Sequence, residues 1–419
     1  MRPARPAGRA FSPLDEELGL LPGALTPTLA EGLVRLGAEV PSFARAAALF
    51  AYFTGAAAPE TSARRRTEAA GAAYVAVQAA ELARLEREAP AGPAGPPLLQ
   101  LSVDGAMVPL VGGQWAEVKT LAVGVVGQRL TREGVRAAAT GELSYFSRLA
   151  DAGSFARAAT VETHRRGVAA AGRVVAPADG SEWCQGFYDY HRPDAVRILD
   201  FPHAAGHLAG AGQAAFGAGT PAAATWLAAQ RRTLKRGDPA DALAAVLTLP
   251  AASAPDPAAA AAARDATFEY LARRWGQIQY AEFVAAGYPV GSGAVESANK
   301  PVVEDRLKGP GMHWARAHVD PMLALRNVAC ADRWAEAWPQ IEAELRRAAA
   351  ARSADLRARR QADRARPGPA VAMPPPEVAA PEPALAPPPA PPRPKKVVNG
   401  IPTADHPWRR RFLPERRAS

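Results

Sequence analysis

The sequence predicts an α/β (α+β) protein: a mixed β-sheet with helices packed on it, an all-helical insertion, and a helical region in front. Three observations carry this expectation. Residues 98–200 alternate between apolar, β-branched runs and helical patterns in the order three strands, helix, strand, helix, strand. Residues 203–286 are rich in alanine and helical throughout, with no strand signal. Residues 41–88 read as capped helices that stop at a Pro/Gly-rich break.

Taken in order, residues 1–90 form the helical N-terminal region. Ser42 is the expected N-cap of a helix over 43–53, closed at Thr54-Gly55, and Thr61 or Ser62 caps the next, over 63–71. Two helices around a glycine-containing turn, the second carrying Arg64, Arg65 and Arg66, have the layout of a helix-turn-helix over 41–71. An αα-hairpin with a solvated basic face is the alternative. Residues 74–88 continue as a helix, and Pro/Gly-rich residues 91–97 read as a linker.

The first strand starts at Leu98 and delivers Asp104 to its end, with Gly105 where the backbone turns or is closely approached. Further strands are expected at 116–126, 142–149, 173–178 and 195–200, with a Ser154-capped helix to about 170 and a short helix over 181–191. The fourth strand also ends in Asp-Gly, at Asp179-Gly180. Residues 98–203 thus form the first part of the core and 204–290 the insertion, while 291–345 supply its closing helices after Gly291-Ser-Gly. Residues 346–419 read as a basic, Pro-rich tail with too few large apolar residues to fold alone.

The chain has 419 residues, 48% of them hydrophobic, and a formal net charge of +9. From Ile341 onward there are 16 Arg or Lys against 8 Asp or Glu, so the first 340 residues are nearly neutral. A basic tail on a neutral body suits contact with a polyanion. The 2 cysteines cannot make a Cys₄ zinc site, and without an export signal no disulfide is expected between them. No run of 18 strongly apolar, uncharged residues suggests a membrane span, and a soluble intracellular protein is the expectation.

Three acids stand out: Asp104, Asp179 and Glu296. In a ribonuclease-H-like sheet, strands one and four lie side by side, which brings Asp104 and Asp179 together, and a helix beyond the insertion brings in Glu296. Three converging carboxylates need a counter-charge, and two hard divalent cations supply it in a form suited to in-line attack on a phosphodiester.

The motifs Leu101-Ser-Val-Asp104-Gly-Ala, Asp179-Gly-Ser-Glu-Trp183, Ile198-Leu-Asp-Phe-Pro-His203 and Gly291-Ser-Gly-Ala-Val-Glu296-Ser-Ala-Asn-Lys300 resemble the DDE transposases of the Kra-type insertion-sequence family, relatives of the Mutator-like transposases. So do Arg306-Leu-Lys-Gly-Pro-Gly-Met-His-Trp314 and the late His406-Pro-Trp-Arg. The resemblance covers roughly residues 11–335 and that tail motif. It implies a ribonuclease-H-like catalytic domain using two Mg²⁺ or Mn²⁺ ions, cleavage at transposon ends and strand transfer into target DNA. Asp104, Asp179 and Glu296 become the metal-holding catalytic acids. Asp200 is the alternative second acid, with His203 auxiliary to it, as in the Mutator-like relatives' Cys-or-Asp-x-x-His motif. The expected partners are duplex DNA and a second copy of the chain, a homodimer or higher on DNA, in a bacterial, nucleoid-associated cytoplasmic setting.

Expected DNA contacts are Arg64, Arg65 and Arg66, then Lys300, which lies four residues from Glu296 on one helix face, then Arg306, Lys308, His313 and Trp314, and Arg409, Arg410 and Arg411 in the tail. The chain departs from the family in lacking an N-terminal extension with paired cysteines, and in Pro301, which falls within the helix after Glu296 and is expected to kink it. A catalytically inactive, transposase-derived DNA-binding protein is the alternative function. A carboxylate-pair glycoside hydrolase is disfavoured by the third acid, the basic tail and the lack of an aromatic-rich cleft.

Overall fold

A computed structural model describes residues 25–130, 134, 136–365, 397–398 and 401–402. The chain divides into a unit spanning Met1–Arg357 and a second spanning Ala358–Ser419. In the first unit, α1 (Pro27–Glu39), α2 (Phe43–Thr54) and α3 (Glu60–Glu88) precede the sheet. The strands are β1 (Leu98–Pro109), β2 (Trp115–Leu130), β3 (Arg136–Arg148), β4 (Arg173–Ala178) and β5 (Val196–Leu199). Helix α4 (Ala152–Arg165) leads into β4, and α5 (Glu182–His191) lies between β4 and β5.

The sheet runs in the order β3-β2-β1-β4-β5. β3, β2 and β1 pair antiparallel, whereas β1 with β4 and β4 with β5 are parallel. Successive strand residues face opposite sides of a sheet, and here the two sides are covered differently. Leu99, Leu101 and Val103 of β1, with Leu121, Val123, Val174 and Ala176, pack beneath Phe155 of α4 and Phe187 of α5. On the other side, Ala106 and Val108 meet Val302, Leu307 and Leu323, and Ala122 meets Val295 and Ala298. Val126 and Val175 of that side join Phe201, Leu208, Leu234 and Leu271 from the helices after β5. Each Leu, Val or Phe buried this way contributes about 1.5–3 kcal/mol.

The expected insertion is helical: α6 (Phe201–Phe216), α7 (Pro221–Arg236), α8 (Pro239–Leu247), α9 (Pro257–Arg273) and α10 (Tyr280–Ala285) follow β5 with no strand among them. Side chains of Thr220, Asp238 and Asp256 cap the middle three, each followed by a proline in the first turn, where its missing N–H costs nothing. Then come α11 (Gly293–Asn299), a π-helical turn at Lys300–Glu304, and α12 (Asp305–Leu307). The kink expected at Pro301 takes the form of this wider turn, closed by Asp305 N–H donating to the Lys300 carbonyl. Arg326 of α13 (Arg316–Cys330) donates to the Pro301 carbonyl through Nε at 3.0 Å. α14 (Trp334–Ala365) completes the helices.

Several sequence expectations are corrected. β1 does not end at Asp104 but runs on to Pro109, because β2 pairs with it throughout. Asp151, not Ser154, caps α4, accepting from the Ser154 N–H at 2.9 Å. α3 begins at Glu60 without a side-chain cap and runs unbroken for 29 residues. Its Ala63, Thr67, Ala70 and Tyr74 are buried, and α1, α3, α13 and the first turns of α14 share one core. The 91–97 segment is more than a linker. The carbonyls of Pro96 and Pro97 accept from Gly172 and Arg173 N–H at 3.0 and 2.9 Å, which joins it to the lead-in of β4. In the 346–419 segment, α14 continues to Ala365, and β6 (Val397–Val398) pairs antiparallel with β7 (Ile401–Pro402). Arg409, Arg410 and Arg411 lie outside the described residues. Among the described residues no helix is long and apolar enough to cross a membrane.

The α3–α13 crossing is set by Gly71. A Cβ there would stand 2.1 Å from the Pro321 carbonyl oxygen, on backbone that cannot swing aside. Gly71→Ala is therefore expected to force the helices apart and destabilise the protein by about 1–3 kcal/mol in urea unfolding. A neutral effect would mean the crossing is soft.

Candidate active site

Asp104 lies seven residues into β1, opposite Thr120 of β2. By strand alternation it shares a face with Ala106 and Val108, the face α11 and α13 cover. The parallel register pairs Leu98, Leu99 and Gln100 with Arg173, Val174 and Val175. Four residues on from those pairs stand Asp104, within β1, and Asp179, the first residue beyond β4. The two carboxylates are near enough to couple electrostatically.

Each is held differently. The Asp104 carboxylate accepts from Gly105 N–H at 2.8 Å and from Asn299 Nδ2 at 2.8 Å. Burial pushes its pKa up, the Asp179 and Glu296 carboxylates push it further, and the two donors pull it back. Asp179 accepts from Ser181 N–H at 2.9 Å and from the Cys184 thiol at 3.5 Å. Burial holds that thiol protonated by raising its pKa well above the usual thiol value. The turn after Asp179 needs Gly180, whose φ is +80° and where a Cβ would meet Arg274 Nε at 2.6 Å. Tyr270 and Arg274, at the end of α9, close over it: Tyr270 Oη donates to the Asp179 carbonyl and Arg274 Nη2 to the Gly180 carbonyl, both at 2.7 Å.

Glu296 is exposed, one turn into α11, and accepts from Ser292 Oγ at 2.5 Å. Ser292 N–H donates to Asp200 Oδ1 at 2.6 Å, and Asp200 Oδ2 accepts from His203 N–H at 3.0 Å. Asp200 is therefore a buried clamp, 3% exposed, with both oxygens bound to backbone. It caps α6 and fixes the loop that starts α11.

His203 and His207 line a cavity of about 630 Å³ together with Asp200 and Glu296. The His207 ring stacks on Tyr270 at 3.8 Å, and burial with the neighbouring His203 and Arg274 lowers its pKa. Among the described residues no three His, Cys, Asp or Glu side chains form a group able to hold one ion. The donor chemistry at the three acids is nonetheless all oxygen, and the buried Asn299 Oδ1 beside them has no partner.

Of the expected DNA contacts, Arg64, Arg306, His313 and Trp314 line one concavity, which Lys300 and Lys308 do not line. Arg306 is corrected: it is 2% exposed, its guanidinium donates to the Gly37 carbonyl, and it lies 4.3 Å from the Phe43 ring and 5.1 Å from that of Trp314. Trp314 is also buried, exchanging backbone hydrogen bonds with Pro109 and Val111 beyond β1. Lys308 is exposed but paired with Glu304 at 3.0 Å. Lys300 and His313 are exposed, as are Arg64 and Arg65, while Arg66 is half-buried. Cys184, Asn299, Tyr270 and Arg274 were not foreseen; only Asn299, three residues from Glu296, had a helical spacing that could have pointed to it. Cys184 and Cys330 are both free thiols, as expected.

No model of a known protein family matches this chain, and no curated protein does either.

Two outcomes test these roles. The Asp104 pKa is raised on folding, so its ionisation opposes folding. That contribution is favourable at low pH and lost as the pH rises through the folded value. Asp104→Asn is expected to raise the thermal midpoint at pH 7, an advantage that disappears below about pH 4, where the carboxyl is protonated in both states. An unchanged midpoint at pH 7 would contradict the electrostatic cost. Asp200→Ala, by contrast, removes a cap and orphans Ser292 N–H, and should cost about 2–4 kcal/mol by denaturant titration.

Proposed function

We propose that this protein is a DDE-type transposase with a ribonuclease-H-like core, cleaving DNA at transposon ends and joining the freed end to target DNA. The observation that carries this reading is the electrostatic coupling of Asp104, in β1, with Asp179, just past the neighbouring parallel β4, and with Glu296 from a helix beyond the strandless insertion. The strand order β3-β2-β1-β4-β5, three antiparallel strands followed by two parallel ones, supports the same reading.

Asp104, Asp179 and Glu296 are the residues that would hold Mg²⁺ or Mn²⁺, and the partnerless Asn299 Oδ1 adds an oxygen beside them. When bound, divalent cations supply the positive charge that in-line displacement at a phosphodiester requires. The protein's own groups do the rest. The Asn299 side-chain amide Nδ2 and Gly105 N–H fix the orientation of the Asp104 carboxylate, and Ser292 Oγ fixes Glu296. Asp200 anchors the start of α11 through both carboxylate oxygens while lining the cavity that also contains Glu296, and Asp179, coupled to Asp104, is taken as the second acid. The π-turn at Lys300–Glu304 absorbs Pro301, so the proline leaves Glu296 and Asn299 on an intact helix. Exposed Lys300, just beyond that helix, is set to meet a DNA phosphate.

The test is strand cleavage of duplexes taken from the DNA flanking this gene. Asp104→Asn, Asp179→Asn and Glu296→Gln should each lower Mg²⁺-dependent cleavage by about 10³-fold or more, with DNA binding retained. Asp200→Asn should keep measurable cleavage at reduced stability. Full activity of the Asp179 variant beside a dead Asp200 variant would reverse the assignment. Cleavage that ignores Mg²⁺ and all four changes would remove the reading.

A further inference from the structure

α7, inside the helical insertion, carries Arg231, Arg232, Lys235 and Arg236, all exposed. With Phe201 they line a concavity of about 250 Å³ that no acidic residue enters. Among the described residues none of the four forms an ion pair or a side-chain hydrogen bond, whereas other exposed arginines on helices, such as Arg35, Arg157 and Arg273, are matched to acids. The inward side of α7 is anchored by buried Ala223 and Leu234, so the cations are turned outward by the helix that holds them.

Their spacing is costly to the helix. Arg231 with Lys235, and Arg232 with Arg236, are like charges four residues apart, an arrangement that destabilises a helix. Lys235 and Arg236 find compensation at the helix C-terminus, where cations are favourable. Arg231 and Arg232 lie a turn earlier and have none. The Arg231 guanidinium stands 6.0 Å and the Lys235 ammonium 5.2 Å from the Phe201 ring centre, which holds both stems in place over an aromatic floor. Four cations without acidic partners, two of them pre-positioned over Phe201, around a pocket of this size suit successive phosphates rather than a neutral ligand.

We infer that the Phe201–α7 concavity binds the phosphate backbone of duplex DNA, an inference that rests on the reading of this protein as DNA-cleaving. Charge supports that partner: four exposed cations and one aromatic ring line the concavity, with no acid among them. Phe201 begins α6 directly after Asp200, which lines a separate cavity that contains Glu296 and His203.

The experiment measures binding of the full-length protein to random-sequence duplex over a range of salt concentrations. Each cation–phosphate interaction that a substitution removes should flatten the slope of log affinity against log salt by about 0.9, so Arg231→Gln with Lys235→Gln should remove about 1.8. Arg232→Gln with Arg236→Gln, side chains that touch no ring, should act similarly, and Arg231→Lys should leave the slope unchanged. Thermal midpoints should stay level or rise, since like-charge repulsion is relieved. An unchanged slope in both double variants overturns the inference. So does calorimetric binding of inorganic phosphate that disappears in the variants while the duplex slope stays at the wild-type value, which would make this a small-anion site. Cleavage by the unaltered protein is scored separately. A cleaving protein with an α7-independent slope sinks only this inference, and an α7-dependent slope without any cleavage sinks only the catalytic reading.

Discussion

The arrangement depends first on one buried carboxylate, that of Asp200. Its two oxygens accept backbone N–H groups from opposite directions, His203 at the start of α6 and Ser292 at the start of α11. A buried charge is tolerated only where such donors replace water, and here they link β5, the insertion and the helix that returns to the sheet. More than eighty residues leave the sheet after β5 and come back beside the point of departure. Phe201 N–H bonding to the Val290 carbonyl closes the same joint from the backbone side. Without the clamp, the position of Glu296 would rest on a loop.

On that scaffold the acid cluster carries a charge imbalance. Asp104 is half-buried, faces the fields of Asp179 and Glu296, and is only partly relieved by Gly105 and Asn299. Structural carboxylates elsewhere show the opposite pattern. Glu86 and Asp194 bond to arginines that hold them below the usual carboxylate range. Glu162, at 3% side-chain exposure, is paired with Arg333 at 3.0 Å. A cluster left short of positive charge, with a partnerless amide oxygen beside it, is the electrostatic state expected of a site completed by something from outside.

The cations are divided in the same way between structure and surface. Arg306 and Arg326 bind the carbonyls of Gly37 and Pro301 and tie the N-terminal helices to the π-turn, so their charges are used inside the fold. Lys300 and the α7 group are left outside, exposed to solvent. Close packing at Gly71 and the pairing of Trp314 with the end of β1 make the N-terminal helices part of the same body as the sheet.

The sequence alone determined which segments are strands and which are helices, because period-2 and period-3.6 burial leave direct marks in apolar spacing. The five strands, the strandless run after Asp200, the Ser42 cap and the break at Pro301 were all legible. Asp104-Gly105 and Asp179-Gly180 were conspicuous as carboxylates before glycine, though Asp104 lies within β1 and not at its end. The ends of β1 and β3 were not legible, because strand length is decided by the partner strand. Nor were the roles of individual polar residues. Asp179 and Asp200 both follow a strand in the sequence, and only tertiary structure gave one an acid neighbour and the other two backbone amides. Arg306 and Arg231 are both arginines among apolar residues, yet one is buried under Phe43 and Trp314 and the other is open. Burial, pairing and charge compensation are properties of contacts between distant segments, and no local pattern encodes them.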